Sequence, residues 1–265
     1  MFLTSIRRRG DHVDREGFPW TLPLVRSLDE LSFETPVTFL VGENGSGKST
    51  VLEGLAAGMD AVSVGHRDIG RDETLAAARA FAGGYRFVRR RHARTRLFMR
   101  AEDVFGFVNR VGAEIRGLAG IEADLRSSLP DGSYGQRIAT GMARGQRGAL
   151  TARYGENPDG RSHGETFLGL LKQRLVPRGL YFLDEPEAPF SPARLLALIA
   201  LMKDAVDQGS QFVVATHSPI LMALPGARIL LFDGDAIRPM AYDDVEHVRF
   251  MRAFLNDPHA YLRHL

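Results

Sequence analysis

With 265 residues, 44% of them hydrophobic, the chain is long enough to bury a core as one α/β unit with room for an inserted lobe. The absence of cysteine excludes a disulfide framework and any thiolate metal site, and a cytoplasmic setting fits best. A formal charge of +2 excludes a globally acidic or basic chain; nearly all the basic residues are arginine, which lifts the isoelectric point to about 9.1.

The N-terminal Met1 to Ile6 reads as the start of a strand, Phe2 to Arg9, that runs straight into Arg7-Arg8-Arg9 without the pattern of a signal peptide. Val37 to Val41 is a second, fully apolar strand. It opens into Gly42-Glu43-Asn44-Gly45-Ser46-Gly47-Lys48-Ser49-Thr50 and then a helix from Ser49 to Met59. Glycines between a strand and a helix let backbone N–H groups converge on phosphate, the helix N-terminus adds its positive end, and Lys48 adds a full charge. Ser49 is then placed to hold Mg²⁺. Only three lysines occur in the chain, and one of them stands here.

Glu73 to Phe81 has helical periodicity. Tyr85 to Val88 and Leu97 to Met99 read as strands joined by a basic turn, with Arg86, Arg89, Arg90, Arg91, Arg94, Arg96 and Arg100 crowded together around His92. That segment reads either as a solvated hairpin or as a track for a phosphate backbone. From about Asp103 to Arg161 short helical pieces broken by glycine, with turn signals at Pro130-Asp131-Gly132 and Asn157-Pro158-Asp159-Gly160, suggest an inserted helical lobe over residues 103–164 of one 1–265 domain. A helix from Glu165 to Val176 follows.

Leu180 to Leu183 is a buried-type strand ending in Asp184 and Glu185. At such a tip Asp184 can hold Mg²⁺ beside the P-loop while Glu185 orients and deprotonates an attacking water. A helix from Ser191 to Val206, strands at Gln211 to Ala215 and Arg228 to Phe232, and a helix from Asp244 to Leu255 complete the pattern. Alternating strands and helices predict a mainly parallel sheet flanked by helices, the P-loop NTPase class of α/β fold. The longest apolar run, Leu195 to Met202, is too short to span a bilayer, so no direct membrane insertion is expected.

At this point the chain resembles the ATP-binding-cassette (ABC) ATPase superfamily. Ser162-His163-Gly164-Glu165 stands where that family has its serine-glycine signature, in a form similar to the S-x-G-E variants of soluble repair and chromosome-maintenance ATPases. Ala215-Thr216-His217-Ser218-Pro219 stands where the family has its switch histidine. The resemblance implies ATP and Mg²⁺ as ligands, and a head-to-tail homodimer in which Ser162 and Gly164 reach the γ-phosphate held by the other copy. It gives His217 the role of bridging that phosphate and Glu185, and Lys48 and Glu185 catalytic roles. It also implies an unidentified protein or nucleic-acid partner. Two features depart from the pattern. No glutamine lies between Lys48 and Asp103, and Glu102 occupies the likely place of the family's Mg²⁺-contacting glutamine; the loop after Glu185 reads Ala188-Pro189-Phe190-Ser191 and lacks the usual aspartate. The R-A-E segment, the L-D-E-P-E strand end and Phe254-Leu255-Asn256-Asp257-Pro258 resemble small soluble bacterial predicted ATPases, similar to Rad50 or SMC heads without a coiled coil. Phe18 and Trp20 are candidates for an adenine-stacking face, with core packing the competing role. A transporter ATP-binding subunit, a non-hydrolysing binding module and a small-molecule kinase are the alternatives.

Overall fold

The long apolar runs of the sequence become the inner strands of a parallel sheet in the computed structural model, which describes residues 1–10, 16–63, 76–156 and 163–263. In chain order the strands are β1 (Leu3–Arg8), β2 (Glu30–Ser32), β3 (Val37–Gly42), β4 (Val62–Ser63), β5 (Tyr85–Arg89), β6 (Arg96–Arg100), β7 (Leu180–Asp184), β8 (Gln211–Ala215), β9 (Arg228–Asp233) and β10 (Ala236–Met240). The helices are α1 (Pro23–Ser27), α2 (Lys48–Gly58), α3 (Ala76–Gly84), α4 (Ala101–Ser128), α5 (Tyr134–Tyr154), α6 (His163–Arg174), α7 (Pro192–Asp207), α8 (Pro219–Met222), α9 (Glu246–Asn256) and α10 (Pro258–Leu262).

Seven strands form the main sheet in the order β10-β9-β3-β8-β7-β6-β4, parallel throughout except for β10 at one edge. Both faces are covered, which is why β3, β7 and β8 read as unbroken apolar stretches rather than alternating ones. Successive residues of β3 serve opposite layers. Leu40 packs with Val51, Leu52 and Leu55 of α2, while Phe39 and Val41 pack with Leu198 and Met202 of α7 and Phe167 of α6. A smaller antiparallel sheet, β2-β1-β5, closes over the α2 side through Leu3, Ile6 and Tyr85.

Two expectations change. β5 and β6 are not the arms of a hairpin: β5 pairs with β1 in the small sheet and β6 with β7 in the large one, so the basic segment between them links two sheets. Their patterns differ accordingly, with β5 largely exposed and Leu97, Phe98 and Met99 of β6 buried. Nor is the 103–154 stretch a set of short pieces. It holds two long helices, α4 and α5, packed as an antiparallel hairpin, with α4 about 42 Å long. Each internal glycine costs a helix about 1 kcal/mol relative to alanine, which is what made the sequence read as broken; packing between the two helices offsets that cost. Buried Glu122 of α4 draws Arg144 and Arg147 of α5 to 2.8 and 3.0 Å, and the Gln136 side chain donates to Arg126 O at 2.9 Å. The predicted helix from Glu73 begins at Ala76 in the described residues, its first residues lying outside them.

Candidate active site

All parallel strands of the main sheet point their C-terminal ends to one side, so the loops after β3, β6, β7 and β8 meet there. After β3 the chain needs a turn that only glycine permits. A Cβ on Gly42, at φ 156°, would sit 2.5 Å from the Phe232 carbonyl oxygen. Gly47 takes the left-handed conformation, φ 91°, immediately before α2 and supplies no side-chain cap, leaving the first-turn N–H groups of α2 open to an anion. Lys48 Nζ donates to the carbonyl oxygens of Gly42 at 2.8 Å and Glu43 at 2.7 Å, folding back over the loop, with Ser46 Oγ at 3.4 Å. Burial lowers the Lys48 pKa, and the carboxylates of Glu185, Asp184 and Glu187 pull it back up. A cleft of about 320 Å³ opens beside this loop, lined by Phe18, Asn44, Gly45, Lys48, Ser49 and Thr50, with Glu185 on its far wall.

Ser49 at the start of α2 donates from Oγ to Oδ1 of Asp184 at 3.1 Å. Among the described residues no group of three His, Asp or Glu side chains forms a protein cage for a metal. One hydroxyl and one carboxylate are nonetheless the oxygen donors suited to Mg²⁺, which keeps waters and shares its shell with phosphate. The other oxygen of Asp184 is taken. Register pairs Arg100 at the end of β6 with Asp184 at the end of β7, and Arg100 Nε donates to Asp184 Oδ2 at 3.1 Å. The same guanidinium also bonds Glu53 of α2.

Glu185 adopts φ 46°, a left-handed conformation that costs a non-glycine residue about 1 kcal/mol or more, and its N–H donates to Ala215 O at 2.9 Å. Its carboxylate stands exposed at the cleft, and Oε1 lies 3.8 Å from His217 Nε2, too long for a hydrogen bond. That Nε2 is buried without a partner. Burial, then the nearby Lys48 charge, lowers the His217 pKa and favours the neutral ring. Glu187 fixes the backbone that carries the histidine, accepting from Thr216 Oγ1 at 2.7 Å and from the backbone N–H of His217 at 2.6 Å. Burial raises the Glu187 pKa against those two hydrogen bonds, and its Oε2 is left without a partner.

Two family models match two separate stretches of the chain, each well under half of it. One described as "AAA domain" covers residues 24–93, including the loop at Gly42 to Thr50, and one described as "AAA domain, putative AbiEii toxin, Type IV TA system" covers residues 166–223, including Asp184, Glu185 and His217. Together with the parallel sheet and the Ser49–Asp184 contact they decide the architecture. The fold is that of an ABC-type P-loop ATPase. The chain is 26% identical over 228 residues to the macrolide export ATP-binding/permease protein MacB of Marinobacter nauticus, a match that covers 82% of this chain and 31% of that protein. It therefore spans about a third of the length of that relative. Similar solved structures include a nucleotide-free ATP-binding cassette from an ABC transporter, with 13% identity, coverage of 100% of this chain and 99% of that one, and a TM-score of 0.48. The SMC head domain from Thermotoga maritima is 17% identical over 91% of this chain and 100% of its own, with a TM-score of 0.41.

On this ABC-type frame the phosphate loop and Glu185 line one cleft, Asp184 adjoins it through its bond to Ser49, and His217 adjoins it beside Glu185. Glu102 does not join them: it is exposed in the first turn of α4, and the side chain that reaches Asp184 from this segment is Arg100. The reason is strand geometry, since the last residue of β6 lies beside Asp184 whereas a residue two further on has already turned into the helix. Ser162 lies outside the described residues. Gly164 sits in the first turn of α6, where a Cβ would meet Pro189 O at 2.8 Å, so the start of α6 packs at Gly164 on the loop that follows Glu185. Phe18 is 57% exposed and lines the cleft, whereas Trp20 is 5% exposed and stacks toward Tyr85; the two aromatic candidates thus separate. Sequence reasoning missed Glu53, Arg100 and Glu187. Arg100 ends an apolar run whose neighbour strand ends in a carboxylate, and that pattern was the available signal.

Proposed function

We propose that the chain is an ATP hydrolase that binds Mg·ATP between two head-to-tail copies and passes the resulting motion to a partner in the cytoplasm. The observation that carries this reading is a cleft beside a glycine-built anion cradle, lined by Lys48, Ser49 and Glu185, with Asp184 bonded to Ser49 and the unpartnered His217 Nε2 3.8 Å from Glu185. Lys48 and the N–H groups of the loop hold the β- and γ-phosphates. Ser49 and Asp184 would hold Mg²⁺, which neutralises the charge developing between those phosphates. Glu185, held by its left-handed backbone with its carboxylate at the cleft, takes the proton of the attacking water, and His217 donates from Nε2 to the γ-phosphate. Phe18 offers its exposed face to the adenine ring. Ser162 and Gly164 of a second copy close the site from the other side.

Glu185→Gln tests it, because the amide keeps the shape and removes the base. Turnover falls by about 10²- to 10⁴-fold while ATP still binds, and light scattering after size exclusion shows ATP-dependent dimers that persist longer than in wild type. Unchanged turnover overturns the catalytic assignment; lost turnover without dimers overturns the closed-dimer mechanism. Mixing Ser162→Arg with Lys48→Ala protein restores some turnover if the site is shared, since one composite site then carries neither lesion.

A second reading, the ATP-binding subunit of a membrane transporter, is favoured by the match to an export ATP-binding/permease protein. Among the described residues no helix is long and apolar enough to cross a membrane, so that reading requires a separate permease segment. Co-purification of the Glu185→Gln protein with an integral membrane protein in the presence of ATP supports it; recovery of a water-soluble partner supports the first.

A further inference from the structure

The N-terminal ends of β6 and β7 carry a surface that the nucleotide site does not use. Five-residue strands separate this edge from Arg100 and Asp184 by about 17 Å. Two loops are tied together there: Leu180 N donates to Thr95 O at 2.8 Å, and Arg94 N donates to Arg178 O at 2.9 Å. Three depressions of about 710, 600 and 770 Å³ adjoin along them. The first and second share Ala93 and Arg94, and the second and third share His92 and Arg178, so they form one continuous concave strip. The helical hairpin and α6 extend it, contributing Arg153 from the end of α5 and Arg174 from the end of α6.

The charge on this strip is one-sided. Among the described residues its only carboxylates are Asp60, already shared by Arg89 at 3.9 Å and Arg96 at 3.3 Å, and Asp207. Among the described residues Arg91, Arg94, Arg174 and Arg178 have no carboxylate within ion-pair distance. Unpaired arginines gathered into a groove are a phosphate-recognition surface, since the planar fork bonds phosphate oxygens two at a time and holds its charge at any physiological pH. We propose that this strip binds the phosphate backbone of a nucleic-acid duplex, independently of base sequence and of whether the cleft at the other end hydrolyses ATP.

The lining decides between polyanions. Among the described residues Val62 is its only exposed large hydrophobic one, so the described strip lacks the aromatic and aliphatic anchors of a protein interface and the apolar belt of a membrane-binding face. Among the described lining residues His92 is the one exposed ring and no exposed Phe, Tyr or Trp joins it, so successive unpaired bases would find no row of stacking platforms, which favours a duplex over a single strand. No lysine lines it, and concavity suits a rod-like backbone better than a planar bilayer.

Fluorescence anisotropy with a labelled DNA duplex of arbitrary sequence, and with an RNA duplex of the same sequence, tests the proposal across a salt series. Wild type binds at low salt, and affinity falls steeply as salt rises. Arg91→Ala/Arg94→Ala/Arg174→Ala weakens binding at least 10-fold and reduces the slope of log K against log salt by about 2 to 3, because each lost phosphate contact removes about 0.9. ATP binding by the same variant stays at the wild-type level. Lysine at the three positions preserves most of the slope, which separates lost charge from lost folding. No duplex binding by wild type at low salt, a wild-type slope in the alanine variant, or tighter binding of polyglutamate or anionic vesicles than of either duplex overturns the proposal.

Discussion

Arg94 and Arg100 stand six residues apart in one arginine-rich segment, yet β6 carries them to opposite ends of the parallel sheet and into opposite electrostatic roles. Arg100, 29% exposed, is gripped by Asp184 and Glu53, whose side chains are 5% and 18% exposed. Arg94 is exposed and has no carboxylate within ion-pair distance among the described residues. At the C-terminal edge charges are balanced against one another in a shielded site, so each is costly to remove. At the N-terminal edge charge is left unbalanced in water, where it does little for folding and is free to meet a partner.

Substitution at the two ends sharpens that contrast. Arg100→Gln removes the guanidinium that bonds two shielded carboxylates, Asp184 and Glu53, and urea denaturation should show a loss of about 3 kcal/mol, the lower end for breaking a buried pair because the guanidinium is partly exposed. Adding Mg²⁺ without nucleotide should recover part of that stability in the variant and little in wild type; equal stability of variant and wild type would mean that Arg100 is not the counter-ion of the site. Lys48→Ala comes next, with ATP affinity reduced on the order of 100-fold in a fluorescent-nucleotide titration, about 2.7 kcal/mol for one charged contact to phosphate. Undiminished binding in folded Lys48→Ala protein would remove the basis of the nucleotide assignment.

Phe18→Ala should lower ATP affinity by about 2- to 10-fold, the range of one aromatic stacking contact, and leave stability nearly unchanged. Trp20→Ala, two residues away but buried, should instead destabilise the fold by about 3 kcal/mol or more with no direct effect on binding. Glu187 gives a pH signature. Its folded pKa is raised above an ordinary value near 4.5, so the native state holds the proton more tightly than the unfolded chain, and stability falls as pH climbs from about 4.5 through the folded value. Glu187→Gln keeps an acceptor for Thr216 and His217 and should flatten that part of the stability profile. The smallest effect belongs to Arg94→Ala, expected within about 0.5 kcal/mol of wild-type stability. A loss there comparable to that of Arg100→Gln would erase the distinction between the two ends.

The strands β3, β7, β8 and β9 and the helices α2 and α7 were legible because burial on both faces leaves an uninterrupted apolar run and a helix leaves its own period. Short edge elements such as β4 and β10 carry no such signal, and α4 and α5 were obscured because glycine lowers helix propensity without forbidding a helix that a neighbour supports. The order of Lys48, Ser49, Asp184, Glu185 and His217 along the chain was enough to nominate a cleft. It was silent on Glu187, which reads as one more acidic residue until the fold brings Thr216 and the His217 N–H against it.

By itself, then, the sequence determined the fold class, the phosphate loop and the carboxylates at the end of β7, because each depends on residues adjacent in the chain or on a strand followed directly by a turn. Tertiary structure alone decided that Arg100 rather than Glu102 meets Asp184, that Phe18 faces the cleft while Trp20 is buried, and that Arg153, Arg174 and Arg178 join Arg91 and Arg94 on one strip. Those outcomes depend on register between strands distant in sequence and on which end of the sheet a residue occupies, quantities that side-chain identity does not encode locally.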